Sequence, residues 1–574
     1  VSLKDLFATA KPGSGFSPIL GVVGRSAEFM RISALERRVL DLDNVEDVTP
    51  LFAKSGDLSF RPIQSAALIE AAKADGLFAP IGVGWGKSLI GLALPEAFGA
   101  KNAVYLVPPD LKRQLTREAH TFYGKHFNLP LDRITIISYS ELSSAKTAMI
   151  LEDGDFDAAI CDEAHCLRYK ESARTKRFMR FAKEHPDCKF AFMSGTMTTR
   201  SVKDYAHLIE LALRKNSPVP RGYREINNWA GAIDVKPEYR MGPGILMKLC
   251  EEGEDVRDGF RRRLVETEGV VATQEGAIGT SLVIRQLTME VPEKVKDLIA
   301  NVKKTWTIGD KELESATEKA RVLKQLASGF WYRWAWPKDE PDYEWLEARS
   351  AWSREVRSKL SHASEGLDSP LLLAQAAERY RVWESEGCPR PKPKKVWDSF
   401  YWNAWRLVKD RRPPPTEAVW EDSFVVEYAV AWAAKQKEPA IIWYSSTTVG
   451  EKIAAKGRFP LFGEGTDASE CKKKVIVASI RTQGTGKNLQ HYCRNLIIEL
   501  PPNGTTVEQL VGRTHRPGNE ADEVEVDWLG HTPELEDAMA KAIDDAEYME
   551  KTTGQRQKLL YATKTSNKEQ GAKS

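Results

Sequence analysis

Cysteine is scarce in this chain, with seven residues among 574, an odd number without paired spacing, so a disulfide framework is excluded and the thiols read as reduced. Cys161 and Cys166 bracket His165, but no second Cys/His pair lies nearby in sequence, and a zinc site is not expected. No uncharged apolar run of about 18 residues occurs, which argues against a spanning helix, and Val1 to Lys11 lacks a signal-peptide core. An excess of one charge is missing too. With 83 Lys+Arg against 81 Asp+Glu the net charge is +2, so any nucleic-acid site must be a local patch. No repeat at solenoid periods interrupts the text. What remains, 42% hydrophobic and 29% charged residues, is the composition of a folded chain long enough for several cores.

Short runs rich in Val and Ile recur in two regions, each followed by a helix-like stretch. The first region holds 103–107, 134–138, 156–161 and 190–194; the second holds 441–445, 475–479, 496–500 and 524–529. Near-continuous apolar strands are those of parallel sheets covered on both faces by helices, so the expected class is α/β with two lobes and a cleft between them. Between the lobes the strand runs stop, and twelve of the 16 tryptophans fall in Trp306 to Trp432. This stretch, with basic Pro-rich loops at 389–395 and 411–415, reads as helices packed by tryptophan, or as an aromatic and basic surface on which bases stack. The expected division is an N-terminal extension (1–56), a first lobe (57–290), a helical Trp-rich insertion (291–437), a second lobe (438–550) and a flexible basic tail (551–574).

The chemistry-bearing residues begin at Gly82-Val-Gly84-Trp-Gly86-Lys87-Ser88, ahead of a helical stretch. Glycines let backbone N–H groups curl around phosphates, Lys87 reaches the outer phosphates, and Ser88 suits Mg²⁺. Ile81 stands where the strict phosphate-loop pattern has its first glycine. Downstream, an apolar strand ends in Asp162-Glu163-Ala164-His165. Adjacent carboxylates at the C-terminal end of a strand are placed for Asp162 to hold Mg²⁺ and for Glu163 to orient or deprotonate a water.

With these residues the chain resembles superfamily-two helicase-like ATPases bearing a DEAH box, closest to their Swi/Snf-type DNA translocase branch. Arg61 with Gln64 looks like the segment whose Gln reads adenine; Gly84 to Ser88 looks like the Walker A loop, motif I. Val107-Pro108-Pro109 with Leu111 and Gln114 is similar to motif Ia, 137–142 to the Ser-Tyr segment, and Ser194-Gly195-Thr196 to motif III. Thr482 to Leu489 resembles motif V, and Gln509 to Gly518 resembles motif VI, whose implied fingers are Arg513 and Arg516. The resemblance implies two RecA-like lobes with ATP and Mg²⁺ between them. Expected to bind the nucleotide are Arg61, Gln64, Gly84, Gly86, Lys87, Ser88 and Gly486, and the metal Ser88 and Asp162. Expected at nucleic acid are Pro108, Lys112, Ser138, Tyr139, Thr482, Lys487 and Asn488, with Arg113 and Arg200 as further phosphate contacts; Ser194, Thr196 and Gln509 are expected to couple hydrolysis to movement. Trp85, Ser88 and Glu499-Leu-Pro-Pro-Asn503 depart from the branch's usual residues.

The implied activity is ATP-driven movement on nucleic acid, double-stranded DNA bound through its phosphates. A superfamily-two helicase for RNA or single-stranded DNA and a non-hydrolysing clamp are the alternatives. Whether the Trp-rich stretch is a wedge, a brace or a docking module stays open. The expected setting is the cytoplasm, of a bacterium or of a phage's host, without a membrane partner.

Overall fold

A computed structural model describes residues 26–566 apart from 144–149, 152–153, 171, 199, 236, 274–279, 310, 314, 362–366, 368, 412–413 and 517. Among the described residues no helix is long and apolar enough to cross a membrane. The chain is α/β with two large all-parallel sheets.

The first lobe is built on strands β1 (Gly76–Ala79), β2 (Ala103–Val107), β3 (Ile134–Ser138), β4 (Ala158–Asp162) and β5 (Lys189–Met193), in the order β1-β5-β4-β2-β3. Alternation sends Ala159 and Cys161 of β4 to one core and Ala158 and Ile160 to the other, so both faces are buried. Helices α1 (Pro62–Ala74), α2 (Lys87–Phe98), α3 (Pro109–Glu118) and α4 (Val256–Val265) belong to this lobe. Pro62 opens α1, and the Gln64 side chain reaches back to accept from the Arg61 N–H at 2.8 Å.

Strand β6 (Ser281–Leu287) pairs in parallel with residues 523–529 of the second lobe, so it belongs to that lobe, and the boundary expected at residue 290 lies before it. The insertion follows. It contains a small hairpin of β7 (Thr307–Ile308) and β8 (Lys311–Glu312), helix α5 (Ala316–Ala327), strand β9 (Phe330–Trp334), helix α6 (Tyr343–Ser361) and strand β10 (Thr416–Trp420). Strands β9 and β10 form an antiparallel ribbon, so the stretch expected to be helical also carries a two-stranded stem. Above that stem the tryptophans do build local cores: Trp352, Trp397 and Trp402 with Leu373 in one, Trp345 and Val408 in another.

The second lobe adds β11 (Ala440–Tyr444), helix α7 (Thr447–Gly457), β12 (Leu461–Phe462), β13 (Val475–Ser479), β14 (Arg494–Ile497), helix α8 (Gly504–Thr514), β15 (Glu523–Leu529), helices α9 (Pro533–Thr553) and α10 (Lys558–Tyr561), and β16 (Thr563–Ser566). Its seven-stranded sheet runs β12-β13-β11-β14-β15-β6-β16. In the tail expected to fray from residue 551, residues 551–566 are therefore ordered, and 567–574 lie outside the described residues. Gly554 ends α9 in a left-handed turn, Glu508 of α8 accepts the N–H groups of Lys558 and Leu559, and β16 closes the sheet edge beside β6.

Candidate functional site

All the carboxyl ends of the first sheet's central strands point to one edge, and the sequence-predicted residues collect there. The loop after β1 leads into α2 with Gly86 at its cap in a left-handed conformation (φ 76°), and a Cβ there would stand 2.3 Å from Gln64 Nε2. Gln64 is buried and donates to the carbonyls of Trp85 and Gly86 at 3.1 and 3.2 Å, while Arg61 donates to the Gly84 carbonyl at 3.0 Å. Both residues thus shape the loop. Lys87, buried, donates to the carbonyls of Ile81 and Gly82 at 3.2 Å and lies 3.9 Å from a Glu163 oxygen.

Asp162 ends β4, and Glu163 follows in a left-handed conformation (φ 50°) that a residue other than glycine seldom adopts without local constraint. The constraint is visible. Glu163 N–H donates to Asp162 Oδ1 at 2.9 Å, Ser194 Oγ donates to Glu163 Oε2 at 3.1 Å, and His165 Nδ1 is 3.3 Å from the same oxygen. From the second lobe Gln509 Nε2 donates to it at 3.2 Å. Ser194 Oγ in turn accepts from Thr196 N–H at 3.0 Å, which joins the 194–196 segment to the carboxylate. Burial and the charge of Glu163 push Asp162 up to about 6. Burial also opposes the charge on Glu163, but Lys87, then His165 and Arg513, outweigh it and hold this carboxyl well below the usual range.

Helix α8 lies directly over the loop: a Cβ on Gly512 would be 3.1 Å from Val83 Cβ, a distance only glycine makes comfortable. It delivers Arg513, buried, whose Nε donates to Gln509 O at 3.1 Å and whose guanidinium is lowered to about 10 by burial and by Arg516. Arg516 donates to Asn488 Oδ1, and its Nε is buried with no partner among the described residues. Gly84, Gly86, Lys87, Ser88, Asp162, Glu163, Gly486, Asn488, Arg513 and Arg516 all line one cavity of about 150 Å³ between the lobes.

Other expected contacts go elsewhere. Tyr139 is fully buried beneath β4, its hydroxyl donating to the Asp162 carbonyl at 2.8 Å, so it supports the carboxylate strand and is not at a nucleic-acid surface. Ser138 is buried and donates to Glu141, which also pairs Lys112 at 2.8 Å; Pro108 caps α3 from a buried position. Thr482 is buried, and Lys487 is tied to Asp467 at 2.7 Å, neither standing free for a phosphate. Arg200 pairs with Asp545 of α9 at 3.0 Å, and Arg113 is exposed.

Three groups were not legible in the sequence. Glu118 and Tyr123, at the end of α3 and just after it, line the cavity, and burial together with Glu118 pushes the Tyr123 hydroxyl up to about 12. Thr273 accepts from Gly82 N–H at 3.1 Å and, through its carbonyl, from Arg556 N–H at 3.2 Å, so the chain after α9 returns to the loop. Lys558, lowered to about 8 by burial, donates to His515 O at 2.5 Å at the end of α8. No short motif marks any of them.

Glycine turns, a lysine, a hydroxyl beside a buried carboxylate, and two arginines from the facing lobe form a donor set that fits a triphosphate with a divalent cation. Mg²⁺ needs only one or two protein oxygens beside phosphate and water, and Ser88 and Asp162 supply two. No protein-family model matches the chain, and no curated protein matches it.

Proposed function

We propose that this chain is an ATP-driven nucleic-acid motor of two RecA-like lobes, akin to the Swi/Snf-type branch of superfamily-two ATPases, with double-stranded DNA as its track. The observation that carries the reading is the environment of Glu163, which sits 3.9 Å from Lys87 of the first lobe while accepting a 3.2 Å hydrogen bond from Gln509 of the second. A carboxylate contacted by both lobes feels any change in their separation.

In this reading the N–H groups of the Gly84 to Ser88 loop and Lys87 bind the phosphates, and Ser88 with Asp162 would hold Mg²⁺, which neutralises phosphate charge. Glu163, kept ionised, accepts a hydrogen bond from the attacking water and takes its proton. Arg513 and Arg516 stabilise charge on the transferring group only when the lobes close, which ties turnover to movement. Serine and threonine of 194–196 relay the carboxylate's position into the first lobe.

The test is ATP turnover with no polymer, single-stranded DNA, duplex DNA and RNA, with Lys87→Ala as control. Strongest stimulation by duplex, lost in the variant, is expected. Preference for single strands or RNA would replace the translocase with a helicase. Turnover that is absent, or indifferent to Lys87, would leave a clamp.

A further inference from the structure

A groove of about 1550 Å³, ten times the volume of the nucleotide cavity, opens between the second lobe and the insertion. Its walls are α5, the β9–β10 ribbon and α6, and its floor is Ser445–Thr447, where β11 passes into α7. Arg321, Arg333, Arg349 and Arg357 line it against one carboxylate among the described lining residues, Glu318. Arg321 pairs with that Glu318 at 3.5 Å and Arg333 with Glu417 at 2.5 Å. Arg349 and Arg357 have no acidic partner among the described residues; the first lies 5.5 and 5.1 Å from the rings of Trp334 and Trp345, the second donates to Ser353 O at 3.2 Å.

The same walls carry flat rings. Trp334 and Trp336 are 6.2 Å apart, and each meets Trp345 behind them at 6.0 and 6.2 Å, so their planes are fixed by packing. Trp331 is fixed by its indole N–H donating to Glu421 at 2.8 Å. Tyr343, also on the wall, is 74% exposed. Preset rings beside guanidinium groups match a polymer that alternates flat bases with phosphates. An acidic peptide would satisfy only the arginines, and a duplex hides the faces of its bases.

We propose that this groove binds an unpaired nucleic-acid strand, its bases against the tryptophan wall and its phosphates on Arg349 and Arg357. The identity of the ligand class rests on the motor reading above. Because the floor belongs to the second lobe, a strand held here moves with that lobe, and the preferred DNA joins a duplex to a single-stranded arm.

The test uses the full chain and a fluorescein-labelled oligothymidylate of about 20 nucleotides, longer than one stacking site. The wild type should bind it with quenching of tryptophan fluorescence. The double variant Arg357→Glu/Tyr343→Ala, both positions exposed, should weaken that binding about tenfold or more. Its affinities for a blunt duplex and for a fluorescent ATP analogue should stay within about twofold, which also shows that it is folded. Undiminished oligothymidylate binding by the variant, an equal loss for the duplex, no binding by the wild type, or equal competition by polyglutamate would each overturn the proposal. Failure of the motor reading is a separate result, the absence of ATP turnover on every polymer, since the groove is read by binding alone.

Discussion

Asp162 ends a fully buried strand with its carboxyl pushed up to about 6, first by burial and then by Glu163. Mg²⁺ needs the ionised form, so turnover should fall as pH drops through about 6, and excess Mg²⁺ should move this limb to lower pH by competing with the proton; a pH–rate profile at two Mg²⁺ concentrations reads both. The sign for stability is opposite. Since the folded value lies above the ordinary one, the fold favours the protonated carboxyl, a contribution complete below about pH 4 and lost as pH rises through about 6. Asp162→Asn should therefore abolish turnover yet raise stability at pH 7 by about 1 kcal/mol, seen in a thermal melt. Gln509 reaches Glu163 from the other lobe, so Gln509→Ala should lower kcat about tenfold or more with ATP affinity little changed, measured by steady-state kinetics beside ATP titration.

Helix α8 gathers its roles on one turn after another: Glu508 holds the N–H groups of Lys558 and Leu559, Gln509 the Glu163 carboxylate, Gly512 the loop, Arg513 the cleft. Glu508 is fully buried, and its pKa is raised by burial against the pull of Lys558. Glu508→Ala leaves two N–H groups without their acceptor and the buried Lys558 ammonium without the charge that opposes it, and should cost about 2–4 kcal/mol in urea denaturation. At this scale the sequence was informative where one residue type has one use. Each of the eight Val/Ile-rich runs became a strand, because an apolar run of that length between turns has few other fates. Lys87, Asp162, Glu163, Arg513 and Arg516, singled out from their short motifs, do meet in one cavity. Tyr139 and Lys487 misled, since a tyrosine or lysine beside a motif reads the same whether it faces solvent, a carbonyl or an aspartate. Strand β6 was passed over because Ser281–Leu287 alternates with Arg285 and Gln286, whose partners Asp527 and Gly530 lie far along the chain.

Over the whole molecule, the insertion and the two lobes differ in how they are tied in. Ala335 N–H donates to Pro415 O at 2.8 Å at the top of the β9–β10 ribbon, so the chain enters and leaves the Trp-rich cores at one point. Replacing residues 336–414 by an Asn-Gly turn should leave ATP binding intact and remove oligothymidylate binding, checked by paired titrations of the shortened protein. Helix α9 does the reverse and spans the lobes: Asp545 meets Arg200, and Tyr548 donates to Asp234 at 2.7 Å in the first lobe. The second sheet, meanwhile, places β6 between β15 and β16, a strand made before the insertion beside two made after it. On a ribosome the first lobe can fold while synthesis continues, but β6 must wait, one edge bare, until residue 566 has cleared the exit tunnel. A message cut short anywhere in the insertion would thus yield a first lobe followed by a strand with no sheet to join, without the Arg513 and Arg516 that line the cavity, a product fit for proteolysis.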